Sequence, residues 1–464
     1  MTLRRLRRIL YLAAVCGLTA LSPGAHAEAT LNVSQMRSAA LQSLRVGRPA
    51  QADDLAGALL QRDPDDLNAL LIRARARRDL GKLGSARSAA ARAWQLAESD
   101  GDRYASALIT AQILSTDGKR TRAQLWLRRA AQHAPNEALR ARAKRDFRYV
   151  RQRNPWHTTL TFTLAPNSNI NNGSARDSSV LNYALSEVLF GEPVEFELTG
   201  SARALSGLEF GAGLRSRYRF SQTDTTANDL NLSLSYRSFV LSDSSKTAAP
   251  GVNGSDFAFG SVGIGYGYRQ INMDRRGEFE LDAELGQTWY GGARYAAFGR
   301  VRVGQTWKRS PDQRLNLSLI AERQNGQRTA DVDTLTLAGS LNQRLASGDT
   351  AYFRVGVETA LSDTADNAYD EMELRGGYLL GRPVMGAQVQ MGLGLSWRDY
   401  DVSRHSPAGR QDFKISADLT ATFQQIDFYG FNPTATLSAS KTDSNIGLFD
   451  VNRVGLNLGI RSAF

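Results

Sequence analysis

The sequence predicts an α + β chain in which an N-terminal α-helical solenoid precedes a transmembrane antiparallel β-barrel of about 14 strands. Two patterns support this fold. From roughly residue 158 to the C-terminus, apolar residues alternate with polar ones, as in strands with one apolar and one wet face. Residues 31–150 are rich in Ala, Leu and Arg and repeat at intervals of 34 and 37 residues, a spacing typical of stacked helix pairs.

The first 27 residues are typical of a secretory signal peptide. Four arginines precede an apolar run that ends before Ala25-His-Ala27, and we expect cleavage after Ala27. The apolar run is too short for a membrane helix. Cleavage would remove Cys16, the only cysteine, so the mature chain would have neither a disulfide nor a cysteine metal site.

The net charge of +11 is unevenly distributed along the chain. Residues 28–155 contain 24 Lys and Arg against 13 Asp and Glu, whereas residues 156–464 contain 29 against 33. A basic module on a mildly acidic barrel suggests attraction to acidic proteins or to anionic lipid headgroups. Because the chain is predicted to be exported, we expect no nucleic-acid partner.

Three glycines mark the helical repeats: Gly47, Gly81 and Gly118. Glycine readily ends a helix, and an alanine five residues after each glycine lets two helices pack closely. This pattern resembles the tetratricopeptide repeat, so residues 28–153 are interpreted as a tetratricopeptide-like solenoid in the periplasm. The resemblance implies a concave groove, and its positions in this sequence are Arg37, Asn68, Arg75, Arg78 and Gln112.

Two features of this helical part each have two interpretations. The groove residues either form a basic binding groove for a client protein or are solvated residues on a spacer. The basic residues 140–153, which end at Asn154-Pro155-Trp156, either lie against inner-leaflet headgroups or form a solvated capping helix. Pro155 ends the helix, and Trp156 suits a membrane–water interface.

Residues 154–464 are predicted to form the outer-membrane barrel. Short turns are expected at residues 273–277, 310–312, 347–349, 381–383 and 424–427, and longer loops at residues 166–193, 241–255, 323–333 and 399–411. An alternation of short turns with long loops is typical of a membrane barrel. The alternative is a soluble β-sandwich. The Asn- and Ser-rich residues 166–184 are either a plug for the lumen or an extracellular loop, and we favour the loop.

The sequence shows no active site. After signal cleavage three histidines remain, His133, His157 and His405, and their spacing matches neither a metal site nor a nucleophile–base pair. The glycine-rich residues 260–267 look like a phosphate-binding loop, but they alternate as a strand with no helix after them. We therefore expect a protein that is not an enzyme and that holds no cofactor or metal.

Helical repeats that lead directly into such a barrel resemble the surface lipoprotein assembly modulator family, Slam. The resemblance is carried by Pro155 and Trp156 before the first strand, Asn169 and Asn171 after it, and Asn445, Asp450 and Arg453 before the last strand. The last strand alternates from Val454 to a terminal Phe464, which is how outer-membrane barrels usually end.

The resemblance implies an outer-membrane translocon that moves or displays client proteins on the cell surface. The periplasmic repeats would receive the client, a surface lipoprotein or secreted protein, and the barrel would provide its passage. Outer-membrane lipids and the barrel-assembly machinery that inserts the chain are further implied partners. The alternatives are an exopolysaccharide exporter and a passive porin with a periplasmic docking domain.

Overall fold

The computed structural model describes residues 31–462 of the chain. The chain divides into two compact units between Ala97 and Glu98. The predicted signal peptide and Phe464 lie outside the described residues, and the predicted domain boundaries at residues 27 and 153 stay predictions. No helix among the described residues is both long and apolar enough to cross a membrane.

Seven helices precede the first strand among the described residues: α1 (Val33–Arg45), α2 (Pro49–Arg62), α3 (Leu67–Asp79), α4 (Leu83–Leu96), α5 (Asp100–Thr116), α6 (Arg120–Gln132) and α7 (Glu137–Arg153). Gly47, Gly81 and Gly118 lie in the turns after α1, α3 and α5, with φ of +72°, +74° and +73°. Glycine adopts this left-handed conformation at little cost. The predicted helix pairs are therefore confirmed.

Small buried side chains let these helices pack closely. One core cluster of the first unit consists mostly of small residues: Ala40, Leu44, Ala52, Ala56, Ile72 and Ala76. Asp66 begins α3, since its carboxylate accepts a hydrogen bond of 3.0 Å from the Ala69 backbone N–H. In the second unit, Leu127 of α6 packs in one cluster with Phe147 and Val150 of α7.

The second unit continues into a closed antiparallel barrel of fourteen strands. Its first strand is β1 (Trp156–Asn167), and the next segment holds a small hairpin, β2 (Ser178–Val180) with β3 (Glu195–Glu197), and helix α8 (Tyr183–Phe190). The other barrel strands are β4 (Gly207–Gln222), β5 (Thr226–Leu241), β6 (Phe259–Asn272), β7 (Gly277–Tyr290), β8 (Ala293–Ser310), β9 (Gln313–Gly326), β10 (Val332–Arg344), β11 (Thr350–Leu361), β12 (Tyr369–Leu379), β13 (Ala387–Tyr400), β14 (Arg410–Phe423), β15 (Phe431–Ser444) and β16 (Val451–Ser462). A short helix, α9 (Asp243–Ala248), follows β5. The predicted fold class is confirmed.

Alternate residues of each strand face lipid and lumen. Outward residues such as Leu160, Leu285 and Leu458 are apolar and more than half exposed, as side chains in contact with hydrocarbon must be. Inward residues are polar and pair across neighbouring strands. Arg300 of β8, for example, forms an ion pair of 2.6 Å with Glu322 of β9. The strand alternation read from the sequence thus matches a barrel with an apolar belt and a polar lumen.

The barrel has two rims. We call the rim where α7 leads into β1 the near rim, and the opposite one the far rim. Near-rim turns cover residues 223–225, 273–276, 311–312, 345–349, 380–386 and 424–430. Far-rim loops cover residues 168–206, 242–258, 291–292, 327–331, 362–368, 401–409 and 445–450.

The predicted short turns all lie at the near rim and are confirmed. The loop expected over residues 323–333 is wrong in length, because β9 continues to Gly326 and β10 already begins at Val332. At these strand ends the outward positions are occupied by polar residues, Arg323, Asn325 and Asp333, so the strands extend beyond the apolar belt that marks them in the sequence.

We expect Leu127→Ala to lower the free energy of unfolding by about 2–5 kcal/mol, because Leu127 is 2 % exposed in its core cluster. Leu125→Ala on the same helix is the matched control. Leu125 is 54 % exposed, and its truncation should change the free energy by less than about 0.5 kcal/mol. Thermal unfolding of the full chain in detergent micelles, followed by far-ultraviolet circular dichroism, measures both. Equal melting temperatures for the two variants would contradict the packing of α6 described above.

Candidate functional site

Arg128 fastens α6 to the near rim. Its Nη1 donates hydrogen bonds to the carbonyl oxygens of Tyr429 (3.1 Å) and Gly430 (2.7 Å), and its Nη2 donates one to the Ser462 hydroxyl (2.7 Å). The guanidinium also lies over the Phe431 ring, 4.2 Å from its centroid. One side chain therefore joins the helices to the start of β15 and to the end of β16.

Further polar contacts support this junction. The Tyr429 backbone N–H donates a hydrogen bond of 2.8 Å to the Gln132 side chain, and Lys144 lies 3.8 Å from the Asp427 carboxylate. Because burial disfavours the charged form, the pKa of Arg128 falls to about 10. The guanidinium therefore stays protonated at neutral pH and keeps all of its donors.

A basic pocket of about 920 Å³ lies where α7 meets β1 and β4. Its arginines come from both the helices and the barrel: Arg120, Arg148, Arg151, Arg153, Arg217 and Arg219. Arg217 and Arg219 flank the outward Tyr218, so the period-two geometry of β4 turns them toward the lumen. His157 of β1 lines the pocket beside them. The pocket thus connects the surface of the helices with the lumen wall.

The positive charge of the basic pocket is only partly neutralised. Asp229, which is 1 % exposed, accepts hydrogen bonds of 2.8 and 3.1 Å from Arg219 and lies 3.7 Å from Arg217. None of the described residues that line the pocket is acidic. Arg148 and Arg151 are exposed. Clustered guanidinium groups bind carboxylates and phosphates well, so the pocket is suited to an anionic segment.

At the far rim, residues 168–206 pack against two other loops. The Ala175 backbone N–H donates a hydrogen bond of 2.7 Å to the Asp450 carbonyl oxygen, and the Tyr183 N–H donates one of 3.1 Å to the Arg404 carbonyl oxygen. These bonds place the Asn- and Ser-rich segment among the loops 401–409 and 445–450. Its helix α8 exposes four large apolar side chains: Leu185, Val188, Leu189 and Phe190.

The two motif segments at the barrel ends meet at this rim. Asn169 is fully buried, and its side-chain amide donates hydrogen bonds to the carbonyl oxygens of Gly173 (2.8 Å) and Asn452 (3.2 Å). Arg453 donates from Nε to the Asn169 carbonyl oxygen (2.9 Å) and bonds the Asn172 side chain. Residues nearly three hundred positions apart thus form one polar cluster.

The other far-rim motif residues satisfy backbone groups of neighbouring loops. The Asn171 side chain donates to the Arg203 carbonyl oxygen (2.8 Å). The Asn445 side chain accepts from the Gln411 backbone N–H (2.8 Å). Asp450 accepts from the Ser444 N–H (2.6 Å) and forms an ion pair with Arg176 (2.5 Å). These contacts give the residues a structural role in holding the loops together.

Pro155 and Trp156 lie at the near rim. The Pro155 carbonyl oxygen accepts a hydrogen bond of 2.9 Å from the Arg219 backbone N–H. Trp156 is 51 % exposed and packs against Tyr218 with ring centroids 4.6 Å apart. This aromatic pair at a strand end is typical of the membrane–water interface.

The predicted groove residues divide between the two units: Arg37, Asn68, Arg75 and Arg78 lie in the first unit and Gln112 in the second. Arg37 forms an ion pair of 2.7 Å with the buried Asp66, and Arg78 forms one of 2.6 Å with Asp79. Asn68 and Arg75 are exposed on α3. The groove assignment itself stays a prediction.

The profile of the surface lipoprotein assembly modifier family matches residues 156–458, which is almost the whole barrel. The chain belongs to the surface lipoprotein assembly modifier family. The resemblance read from the sequence is thereby confirmed, and the chain is an outer-membrane β-barrel of this family. No relative among curated proteins matches the chain.

Solved structures give weaker similarities. A BenF-like porin from Pseudomonas fluorescens Pf-5 is 10 % identical, covers 66 % of this chain and 98 % of its own, and has a TM-score of 0.35. The translocator chaperone SycD of Yersinia enterocolitica is 18 % identical, covers 26 % of this chain and 83 % of its own, and has a TM-score of 0.24. The family match, and not these structures, carries the assignment.

Sequence reasoning missed the residues that build the near-rim site in this family member. Arg128 is one of thirteen Lys and Arg between residues 101 and 155, and nothing in its neighbourhood marks it. Arg217 and Arg219 lie on β4, whose alternation of apolar and polar residues could have predicted that both side chains face the lumen. The contact of α7 with β4 could not be predicted from the sequence, because it is a tertiary contact.

His405 connects two far-rim loops and makes that contact sensitive to pH. Its Nδ1 lies 3.1 Å from the Asn182 backbone nitrogen and its Nε2 lies 3.1 Å from Arg404 Nε. A neutral imidazole has one acceptor nitrogen, so only one of these contacts is a hydrogen bond, and protonation removes it. Burial, followed by the charge of Arg404, lowers the pKa of His405.

We expect the contact between these loops to weaken in mild acid. With a lowered folded-state pKa, the contribution of His405 is fully present above the unfolded pKa of about 6.5 and is lost as the pH falls through the folded-state value. The hydrogen-exchange protection factors of residues 178–190, which are exchange rates compared with the intrinsic rate at the same pH, should therefore fall between neutral and mildly acidic pH. His405→Gln removes the titration and serves as the control. An equal fall in the protection factors of His405→Gln would show that another group is responsible.

Proposed function

We propose that this chain is an outer-membrane translocon that moves client lipoproteins to the cell surface. The helices receive the client in the periplasm, and the barrel provides its passage. The near rim then faces the periplasm, which agrees with its short turns and with the longer loops of the far rim. The proposed role requires no enzymatic step.

The observation that carries this proposal is the basic pocket. Arg148 and Arg151 of α7 and Arg217 and Arg219 of β4 line the same cavity, and the β4 pair faces the lumen. A client segment with carboxylates that binds at the helices is therefore already at the lumen wall. Electrostatic attraction raises the encounter rate of such a segment and holds it without a deep apolar site.

The hydrogen bonds of Arg128 set the position of the basic pocket relative to the barrel. Hydrogen bonds to Tyr429, Gly430 and Ser462 hold α6 at the rim, so the pocket has a defined position beside the strands before a client binds. A client handed over from the helices then meets the lumen at a defined place. We propose that the exposed Asn68 and Arg75 of the first unit make earlier contacts with the same client.

The proposal also includes other partners and a driving force for outward movement of the client. Outer-membrane lipids surround the apolar belt, and the barrel-assembly machinery inserts the chain. No nucleotide drives transport in our proposal, because the periplasm holds no ATP. Folding of the client outside the cell instead biases its movement, since a folded domain cannot pass back through the barrel.

Comparative surface proteomics tests the proposed function. Intact cells with and without this gene are shaved with protease, and the released peptides are compared. We expect one or a few lipoproteins to leave the surface while their total abundance is kept and they accumulate in the periplasm. If the set of proteins on the cell surface is unchanged while polysaccharide export or solute uptake is altered, the translocon proposal is refuted and a glycan exporter or a porin is favoured.

Reversing the charge of the basic pocket should impair client capture. For Arg148→Glu with Arg151→Glu, we expect the association rate of the client to fall on the order of 10-fold at low ionic strength and surface display to fall with it. The double variant Arg142→Glu with Arg145→Glu is the matched control, because these exposed arginines lie on the same helix but do not line the pocket.

Binding kinetics with the purified full chain and the client identified above provide the measurement. Arg75→Glu, assayed in parallel, reports separately on the first unit. Equal losses in the pocket variant and in its control would show that the overall basicity of α7, and not the pocket, attracts the client.

A further inference from the structure

The barrel closes through a seam that is bonded at one end only. We call the contact between β1 and β16 the closing seam. Strand β1 pairs with β4 at every position from Trp156 to Asn167, and β16 pairs with β15 at every position from Val451 to Ser462. Among the described residues, the register between β1 and β16 has only two positions, Leu164 with Leu458 and Asn167 with Gly455.

The far-rim end of the closing seam is fastened. The Ser168 backbone N–H donates a hydrogen bond of 3.0 Å to the Val454 carbonyl oxygen, and the Val454 N–H donates one of 2.8 Å to the Ser168 hydroxyl. Arg453 adds its bond to the Asn169 carbonyl oxygen. Any separation of the two strands must therefore begin at the near rim.

The near-rim half of the closing seam consists of residues 160–163 of β1 and 459–462 of β16, and these described residues lie side by side without ladder pairing. A Cβ built on Gly459 would lie 3.6 Å from the Phe162 carbonyl oxygen, so the backbones are neighbours. Backbone N–H and C=O groups without hydrogen-bond partners are energetically costly in lipid, and the near-rim half of the closing seam contains such groups.

The two faces of the near-rim half suit a passage between lumen and lipid. Phe162 and Ile460 point outward and are each more than half exposed. The residues that alternate with them, Thr161, Thr163 and Gly459, are small or polar and line the lumen side. Arg461, which shares the inner face of β16 with Gly459, is exposed. Separation of the strands would thus join a polar channel to an apolar surface.

The helices are attached to both sides of the closing seam. Helix α7 runs within three residues of β1, and Arg128 of α6 bonds the Ser462 hydroxyl at the end of β16. A movement of α6 relative to α7 therefore changes the distance between the two strand ends. Binding at the basic pocket, which both helices line, is placed to cause such a movement.

We propose that the near-rim half of the closing seam opens sideways and passes the acyl chains of a lipoprotein client between the lumen and the outer membrane. This inference rests on the proposed function. The polypeptide of a client needs a polar route, because its backbone groups would be unsatisfied in hydrocarbon, whereas its acyl chains are disfavoured in a wet lumen. An open seam serves both, with the peptide inside the barrel and the acyl chains in lipid.

A reversible cross-link tests the opening. Continuing the register beyond Leu164 and Leu458 places Phe162 opposite Ile460, so Phe162→Cys with Ile460→Cys locks the seam under oxidising conditions. The control pair, Ala435→Cys with Leu458→Cys, joins the fully paired strands β15 and β16. The only native cysteine is Cys16, so a background disulfide is not expected. Display of the lipidated client is measured on cells before and after reduction.

We expect the locked seam to abolish display of the lipidated client, with recovery on reduction, while the oxidised control pair displays it normally. Normal display with a quantitatively locked seam would overturn the inference. That result would leave the proposed function intact, whereas a client that never depends on this gene would refute the proposed function itself.

A photo-cross-linking amino acid at position 162 gives a second, independent test. Phe162 and Phe353 are both outward aromatic residues about half exposed, at 52 % and 50 %, but Phe353 lies on β11, far from the closing seam in the strand order. We expect the lipidated client to be captured from position 162 and not from position 353. Equal capture from both positions would count against a passage at the seam.

Discussion

The architecture depends on one constraint: every backbone N–H and C=O inside the membrane must find a partner. Thirteen of the fourteen strand junctions among the described residues pair along most of their length. Ten of them have an unbroken register, such as that of β10 with β11 from Asp333 to Arg344, and three have a single register shift. The fourteenth, between β1 and β16, pairs at two positions only. Ser168 and Arg453 connect β1 and β16 at the far rim by hydrogen bonds. The backbone groups without ladder partners are therefore those of the near-rim half, next to the helices.

At the near rim, the contact between the helices and the barrel depends largely on one partly buried charge, that of Arg128. Arg128 remains protonated although burial lowers its pKa to about 10, because three hydrogen bonds and the Phe431 ring receive its guanidinium. A lysine could not satisfy the same three acceptors with the same planar geometry. The helices are thus held by a polar junction that water can compete for, and not by a large apolar interface. Such a junction is strong enough to fix a position and is able to rearrange.

Much of the fold could be predicted from the sequence, because strands and helix pairs depend on local periodicity. The alternation from Val454 onward defines β16, and Gly47, Gly81 and Gly118 mark turns that need a left-handed φ. The site could be predicted only in part. The far-rim motif residues were found, but the packing of Asn169 against Asn452 joins segments distant in sequence. No local sequence pattern predicts the role of Arg128 or the short register of β1 with β16, because both depend on tertiary contacts.

The distribution of charge along the lumen connects these observations. Inside the barrel, several cations pair with carboxylates of nearby strands. Arg300 pairs with Glu322 and Arg398 with Glu371 on the adjacent strand, and Arg375 pairs with Asp418 two strands away. Matched pairs leave little net field, so a polypeptide in the lumen meets a polar wall that binds it weakly. The helix arginines of the basic pocket have no such carboxylates among its lining residues. The attraction for an anionic segment is therefore strongest at the near rim and weak beyond it. In the proposed translocon, this order would favour capture at one end and release along the rest of the barrel.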